Sequence, residues 1–96
     1  MNSKDRAYLR SLASNIDPIF QIGKIGISDN LIKQVADALE ARELIKITVL
    51  ETSPISANES ANILASSTNS IVVQVMGRKI TLYRRNLKQS KINISV

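Results

Sequence analysis

Gln21-Ile22-Gly23-Lys24-Ile25-Gly26-Ile27-Ser28 is the stretch from which the rest of the chain is read. A short apolar run, Ile19, Phe20 and Ile22, stops at two glycines separated by Lys24 and Ile25, and Ser28, a good helix N-cap, follows at once. Glycine permits backbone conformations closed to other residues and leaves no side chain in the way of a ligand. A helix beginning after Ser28 turns its unpaired N–H groups and positive dipole end toward the loop. The stretch therefore reads as a strand, a phosphate-approaching loop and a helix start.

Forward of the loop, Leu31, Ile32, Val35, Ala36 and Leu39 fall on one face of a helix over 29–42, with Asp29 in its first turn and Arg42 in its last. Lys33 sits one turn in, on the side from which a long side chain can lean toward the loop. Residues 44–50, LIKITVL, are rich in β-branched side chains and put Ile45, Ile47 and Val49 on one face of a strand. Strand, helix, strand over this length is a right-handed βαβ unit, so the two strands run parallel.

Farther out, Ser56 and Glu59 form a capping box at the head of a helix over 57–66. Residues 66–70 read as a polar connector. The runs 71–76 and 79–84 flank Gly77-Arg78, which suits a two-residue type II′ hairpin. In the other direction, Ser3 is placed to cap a helix over 4–13, with Tyr8, Leu9, Leu12 and Ala13 as its apolar stripe, and Asn15-Ile16-Asp17-Pro18 ends it. Residues 86–96 read as a mobile basic tail, with a short strand at 92–96. The order is αβαβαββ, a single α/β domain with a core over about 3–85, expected as a two-layer sandwich with a four-stranded mixed sheet.

Composition removes several classes of function. The 96 residues contain no histidine and no cysteine, so imidazole acid–base chemistry, Ser-His or Cys-His nucleophiles and thiolate zinc sites are all absent. The acids of the second helix, Asp37, Glu40 and Glu43, show no pairing pattern; Glu40 and Glu43 read as solvent-facing partners for Arg42 or Lys46. No enzyme, cofactor, metal or small-molecule substrate is expected, nor a membrane span, and a cytoplasmic monomer is the default. The net charge of +5 is unevenly spread: +2 over residues 1–26, −3 over 27–76 and +6 over 77–96. Basic ends around an acidic middle suit a polyanion, with nucleic acid first.

With the elements in place, the blocks Lys4–Ala13 (KDRAYLRSLA), Gly23–Gly26, Ala38–Ile47 (ALEARELIKI) and Val73–Arg84 (VQVMGRKITLYR) resemble the YhbY family of small bacterial RNA-binding proteins, whose fold unit is also called the CRM domain. The resemblance covers about residues 3–85. It implies a fold similar to the C-terminal domain of translation initiation factor three, and a GxxG loop that grips an RNA backbone as in KH domains. It also implies precursors of the large ribosomal subunit as partner. Two departures stand out. Asp5 replaces the glutamine often found between the bases at Lys4 and Arg6, which weakens the positive field there, and Arg85 replaces the proline that often follows LYR.

The residues then divide into roles. Gly23 and Gly26 shape the loop, and Lys24 contacts phosphate. Ile25 either packs under the loop or meets a base or ribose, with packing favoured. Lys4, Arg6, Arg10, Arg84 and Arg85 are the candidates for a basic face beside the loop, whereas Arg78 and Lys79 are assigned to a different edge. Tyr8, Phe20 and Tyr83 are expected in the core, which leaves few rings for base stacking and points to recognition of backbone and shape. The leading expectation is a non-catalytic protein binding precursor large-subunit ribosomal RNA during ribosome assembly. The alternative is an interaction module docking a ribosomal protein, with only non-specific attraction for RNA.

Overall fold

The computed structural model describes residues 2–86, 88 and 92 of the chain. The elements are α1 (Ser3–Ala13), β1 (Phe20–Ile22), α2 (Asp29–Arg42), β2 (Leu44–Val49), α3 (Ala57–Thr68), β3 (Ile71–Met76) and β4 (Lys79–Tyr83). They form one α/β domain with a four-stranded mixed sheet in the order β1-β2-β4-β3. β1 and β2 are parallel, as the βαβ reading requires, and β4 runs antiparallel to both β2 and β3.

Local chemistry explains the element ends. The Ser28 Oγ accepts the Leu31 N–H at 3.1 Å, and the Ser56 Oγ accepts that of Glu59 at 3.1 Å. The first helix differs slightly from expectation: its cap is Asn2, whose Oδ1 accepts the Asp5 N–H at 2.8 Å. α3 continues two residues past its expected end. The Thr68 hydroxyl turns back to the Leu64 carbonyl at 2.7 Å, and Asn69 closes the helix in the left-handed region at φ 56°, a conformation asparagine tolerates. The hairpin turn has positive φ at Gly77 (60°) and not at Arg78, the type II′ pattern.

Alternation along the strands sorts side chains to two faces. Ile45, Ile47, Val49, Ile80 and Leu82 join Val35, Leu39, Ala61 and Leu64 in the core under α2 and α3. Leu44, Val73 and Tyr83 point the other way and join Leu9 and Ala13 of α1 in a second, smaller core. α1 thus adds a layer to the expected two, on the face opposite α2 and α3. It covers only the end of that face where β2 starts and β4 finishes. A β-bulge between Val72 and Gln74 lets Val73 reach the α1 core, and the Arg6 Nη1 binds the Val72 and Val73 carbonyls there, at 2.6 and 2.9 Å.

Several residues sit differently from their sequence reading. Tyr8 is 45 % exposed and stands outside the core, while Tyr83 is buried in it and Phe20 packs against it. Glu43 is buried, not solvent-facing. It ends α2 with φ 67°, and its carboxylate accepts the N–H groups of Asn86 at 3.1 Å and Ile92 at 3.2 Å. These contacts return Asn86 and Ile92 to the body of the domain, against the expectation of a mobile tail from residue 86. The strand expected at 92–96 lies outside the described residues except for Ile92. Asp5, read as weakening the positive field of the first helix, is buried on the inner face of α1.

Candidate nucleic-acid interface

The loop forms because β1 and β2 hand over their last pairing at its base. Ile22 is fully buried opposite Val49, and its carbonyl accepts the Leu50 N–H at 2.8 Å. The chain then turns at once: the Gly26 N–H reaches the Gly23 carbonyl at 2.9 Å, which puts Lys24 and Ile25 at the tip. The two glycines have different reasons to be there. Gly26 has φ 79°, and a Cβ on it would lie 3.3 Å from the Pro54 Cγ. Gly23 is not in the left-handed region, and a Cβ there would meet only ordinary contacts at 3.5 and 3.6 Å. Backbone shape demands glycine at Gly26 alone; the conformation and surroundings of Gly23 admit a Cβ.

Ile25 does not pack under the loop. It is 88 % exposed, the most exposed large apolar side chain among the described residues. Lys24 beside it is exposed and has no ion-pair partner among the described residues. A hollow of about 330 Å³ lies against the loop and the start of α2, lined by Gln21, Lys24, Ile25, Ser28 and Leu31. A bare cation, a bare aliphatic side chain and accessible glycine backbone together match a phosphate and its attached sugar or base. Lys33 does not lean toward this point: its Nζ is 3.2 Å from Asp37 Oδ2, one turn along α2.

The expected basic face is not brought together beside the loop. Thr48 pairs with Lys79 and Leu44 with Tyr83, so the start of β4 lies at the loop end of the sheet and its finish at the other. Arg84 and Arg85 are therefore one strand length away, roughly 15 Å at about 3.3 Å per residue. Arg84 is also committed elsewhere. Its guanidinium binds the Thr68 carbonyl at 2.9 Å, the Ala36 carbonyl at 3.0 Å and Glu40 Oε2 at 3.2 Å, joining α2, α3 and the end of β4. Arg6 is occupied at the β3 bulge. Lys4 is exposed on the first turn of α1. Arg10 lines a groove between α1 and the sheet with Lys46, Gln74, Met76 and Thr81.

Arg78 and Lys79, assigned from sequence to another edge, are at the loop's own end of the sheet. The Arg78 carbonyl accepts the Val49 N–H at 2.7 Å, one residue from the Leu50–Ile22 bond that anchors the loop. Glu51 approaches the Arg78 guanidinium at 3.7 Å, with both side chains more than half exposed. The sequence carries the hairpin but not this placement, which depends on the second strand of the hairpin pairing with β2. An antiparallel hairpin whose second strand pairs with β2 must bring its turn to the end where β2 stops.

Among the described residues, no group of His, Cys, Asp and Glu is placed to hold a metal ion, and no helix is long and apolar enough to cross a membrane. The buried Asp5 Oδ2 and Tyr83 hydroxyl lack hydrogen-bond partners among the described residues, but both lie on the α1 side of the sheet, away from the loop. Burial, and then the negative charge of Glu43, raise the Tyr83 pKa above its ordinary value near 10.

The chain is similar to several known proteins. The profile of the CRS1 / YhbY (CRM) domain matches residues 1–84. The "Probable RNA-binding protein YqeI" of Bacillus subtilis is 43 % identical over 94 residues, 98 % of each chain. An "RNA-binding protein" of Haemophilus influenzae is 26 % identical over 94 residues, covering 98 % of this chain and 94 % of the relative. The solution structure of the hypothetical protein SAV1595 from Staphylococcus aureus, "a putative RNA binding protein", superposes with a TM-score of 0.82 at 48 % identity, over 99 % of both chains.

Proposed function

Because the chain belongs to the CRS1 / YhbY (CRM) domain family, we propose that it is a non-catalytic RNA-binding protein whose grip on RNA is the Gly23–Gly26 loop. The observation that carries this is the loop tip, where Lys24 and Ile25 stand bare on a turn closed by the Gly26–Gly23 hydrogen bond. Lys24 neutralises a phosphate, the glycine backbone lets the sugar-phosphate chain approach, and Ile25 lies against a ribose or base. The names of the relatives support RNA as the partner. The family resemblance supports the finer reading, in which a cytoplasmic monomer holds precursor large-subunit ribosomal RNA during assembly.

The test is affinity for fragments of large-subunit ribosomal RNA, against duplex DNA, at two salt concentrations. Wild type is compared with the Lys24→Asp/Ile25→Asp variant after circular dichroism shows that both fold. Selective RNA binding that weakens steeply with salt and collapses in the variant is expected, because each neutralised phosphate releases counterions. Equal binding by the two proteins would remove the loop from the interface.

A second reading, a module that docks a protein, finds one observation in its favour. A groove of about 810 Å³ runs beside Leu12, Ile16, Ile19 and Leu44. Ile92 of the chain's own tail already lines it, which makes the loop the better candidate. Binding of a ribosomal protein there would be insensitive to salt.

A further inference from the structure

α1 covers only half of its face of the sheet, and the register shows what the other half carries. Gln21 pairs with Thr48, Thr48 with Lys79 and Lys79 with Met76, one row across all four strands immediately before the loop. The neighbours Ile22, Ile47, Val49 and Ile80 are buried under α2 and α3, so the four side chains of the row point to the uncovered face. Gln21, Lys79 and Met76 are exposed and Thr48 is half-buried. Arg10 and Lys46 border the row from the α1 side. None of the six is acidic, and neither Arg10 nor Lys79 has an ion-pair partner among the described residues. An amphipathic sheet elsewhere covered by helices is here left open, polar and positive.

Gln21 joins this row to the loop, since it also lines the hollow under Lys24 and Ile25. We propose that an RNA strand held at the loop continues over the row, so that the ligand is a single-stranded segment and not a duplex; this rests on the reading of the loop above. Three inter-strand gaps of about 4.8 Å make the row roughly 14 Å long, room for about four nucleotides stacked at the roughly 3.4 Å spacing of a helical strand and for fewer where the strand is extended. Lys79 and Arg10 supply charge for the backbone. Gln21 and Thr48 carry both donors and acceptors, which match base edges. Met76, 68 % exposed, and Ile25 are apolar surfaces at the two ends of the path. A duplex has its Watson–Crick edges paired and its major groove too narrow for side chains, whereas an unpaired strand offers those edges to the Gln and Thr side chains.

The test uses the whole chain with a single-stranded RNA of about 12 nucleotides and the same sequence annealed to its complement. In wild type, titration with the single strand is expected to shift the amide resonances of Gln21, Thr48, Lys79 and Met76 together with those of the loop. The duplex is expected to bind at least about tenfold more weakly. Gln21→Ala/Lys79→Ala, both changes at exposed positions, is expected to weaken single-strand binding about tenfold and flatten the salt dependence by about 0.7 in log–log slope for the one charge removed. Arg42→Ala, which removes a charge at the far end of the sheet, changes affinity less than about twofold. Shifts confined to Gly23–Gly26, with full affinity in the Gln21/Lys79 variant, would overturn the sheet path and leave the loop reading standing. Equal affinity for duplex would overturn the single-strand assignment. Loss of neither binding nor shifts in the loop variant would overturn both.

Discussion

Replacing Arg84 with methionine separates a structural arginine from an RNA-binding one. The substitution keeps most of the aliphatic stem and deletes the guanidinium that bridges Thr68, Ala36 and Glu40. The Thr68 carbonyl belongs to the last turn of α3, where backbone acceptors have no partner within the helix and favour a cation. A hydrogen bond to a charged group contributes about 1.5–3 kcal/mol when buried. The Arg84 side chain is about one-quarter exposed, so water replaces part of each lost bond and about 1–1.5 kcal/mol per carbonyl is the reasonable share. The Glu40 end of the network is mostly exposed and adds at most a few tenths of a kcal/mol. The variant is therefore expected to lose about 2–3 kcal/mol, a fall of about 10–20 °C in Tm for a domain of this size. Calorimetry or thermal circular dichroism measures this directly. RNA affinity, measured well below the melting transition, is expected to change less than about twofold, since Arg84 lies at the wrong end of the sheet. An unchanged Tm with a large loss of RNA affinity would refute the reasoning and return Arg84 to the interface.

The two loop glycines are expected to behave oppositely. Gly26→Ala forces a left-handed conformation on alanine and a tight contact with Pro54, costing about 1–2 kcal/mol in urea unfolding. Gly23→Ala, whose Cβ meets only ordinary contacts with Leu50 and Thr52, is expected to leave stability nearly unchanged, so that a change in its RNA affinity reports the closeness of the bound backbone. Tyr83 predicts an alkaline limit to stability. Its folded-state pKa is raised, so above about pH 10 the unfolded chain releases a proton that the folded chain retains, and stability falls as pH rises. Tyr83→Phe removes a buried hydroxyl without a partner and is expected to flatten the stability profile above pH 10, with little loss at neutral pH; an undiminished alkaline decline in that variant would assign it to other groups.

The sequence by itself determined the elements, because their signals are local. Hydrophobic period, caps at Ser28 and Ser56 and the Gly77-Arg78 turn are properties of a few neighbouring residues, and each element forms within two residues of where they place it. The βαβ unit and the loop at its crossover follow from chain length and handedness alone. Tertiary structure decided which charges are surface and which are scaffold. Arg6, Arg84 and Glu43 read as ordinary surface charges, yet they bind backbone groups from distant elements, and nothing within several residues of them announces those partners. It also decided that Arg84 and Arg85 stand a strand away from the loop while Arg78 and Lys79 stand next to it, since the register between β2 and β4 sets which ends meet. The open half of the sheet face is the furthest from the sequence. It exists only because α1, one helix of eleven residues, cannot span four strands in both directions, and so leaves Gln21, Thr48, Lys79 and Met76 in a row beside the loop.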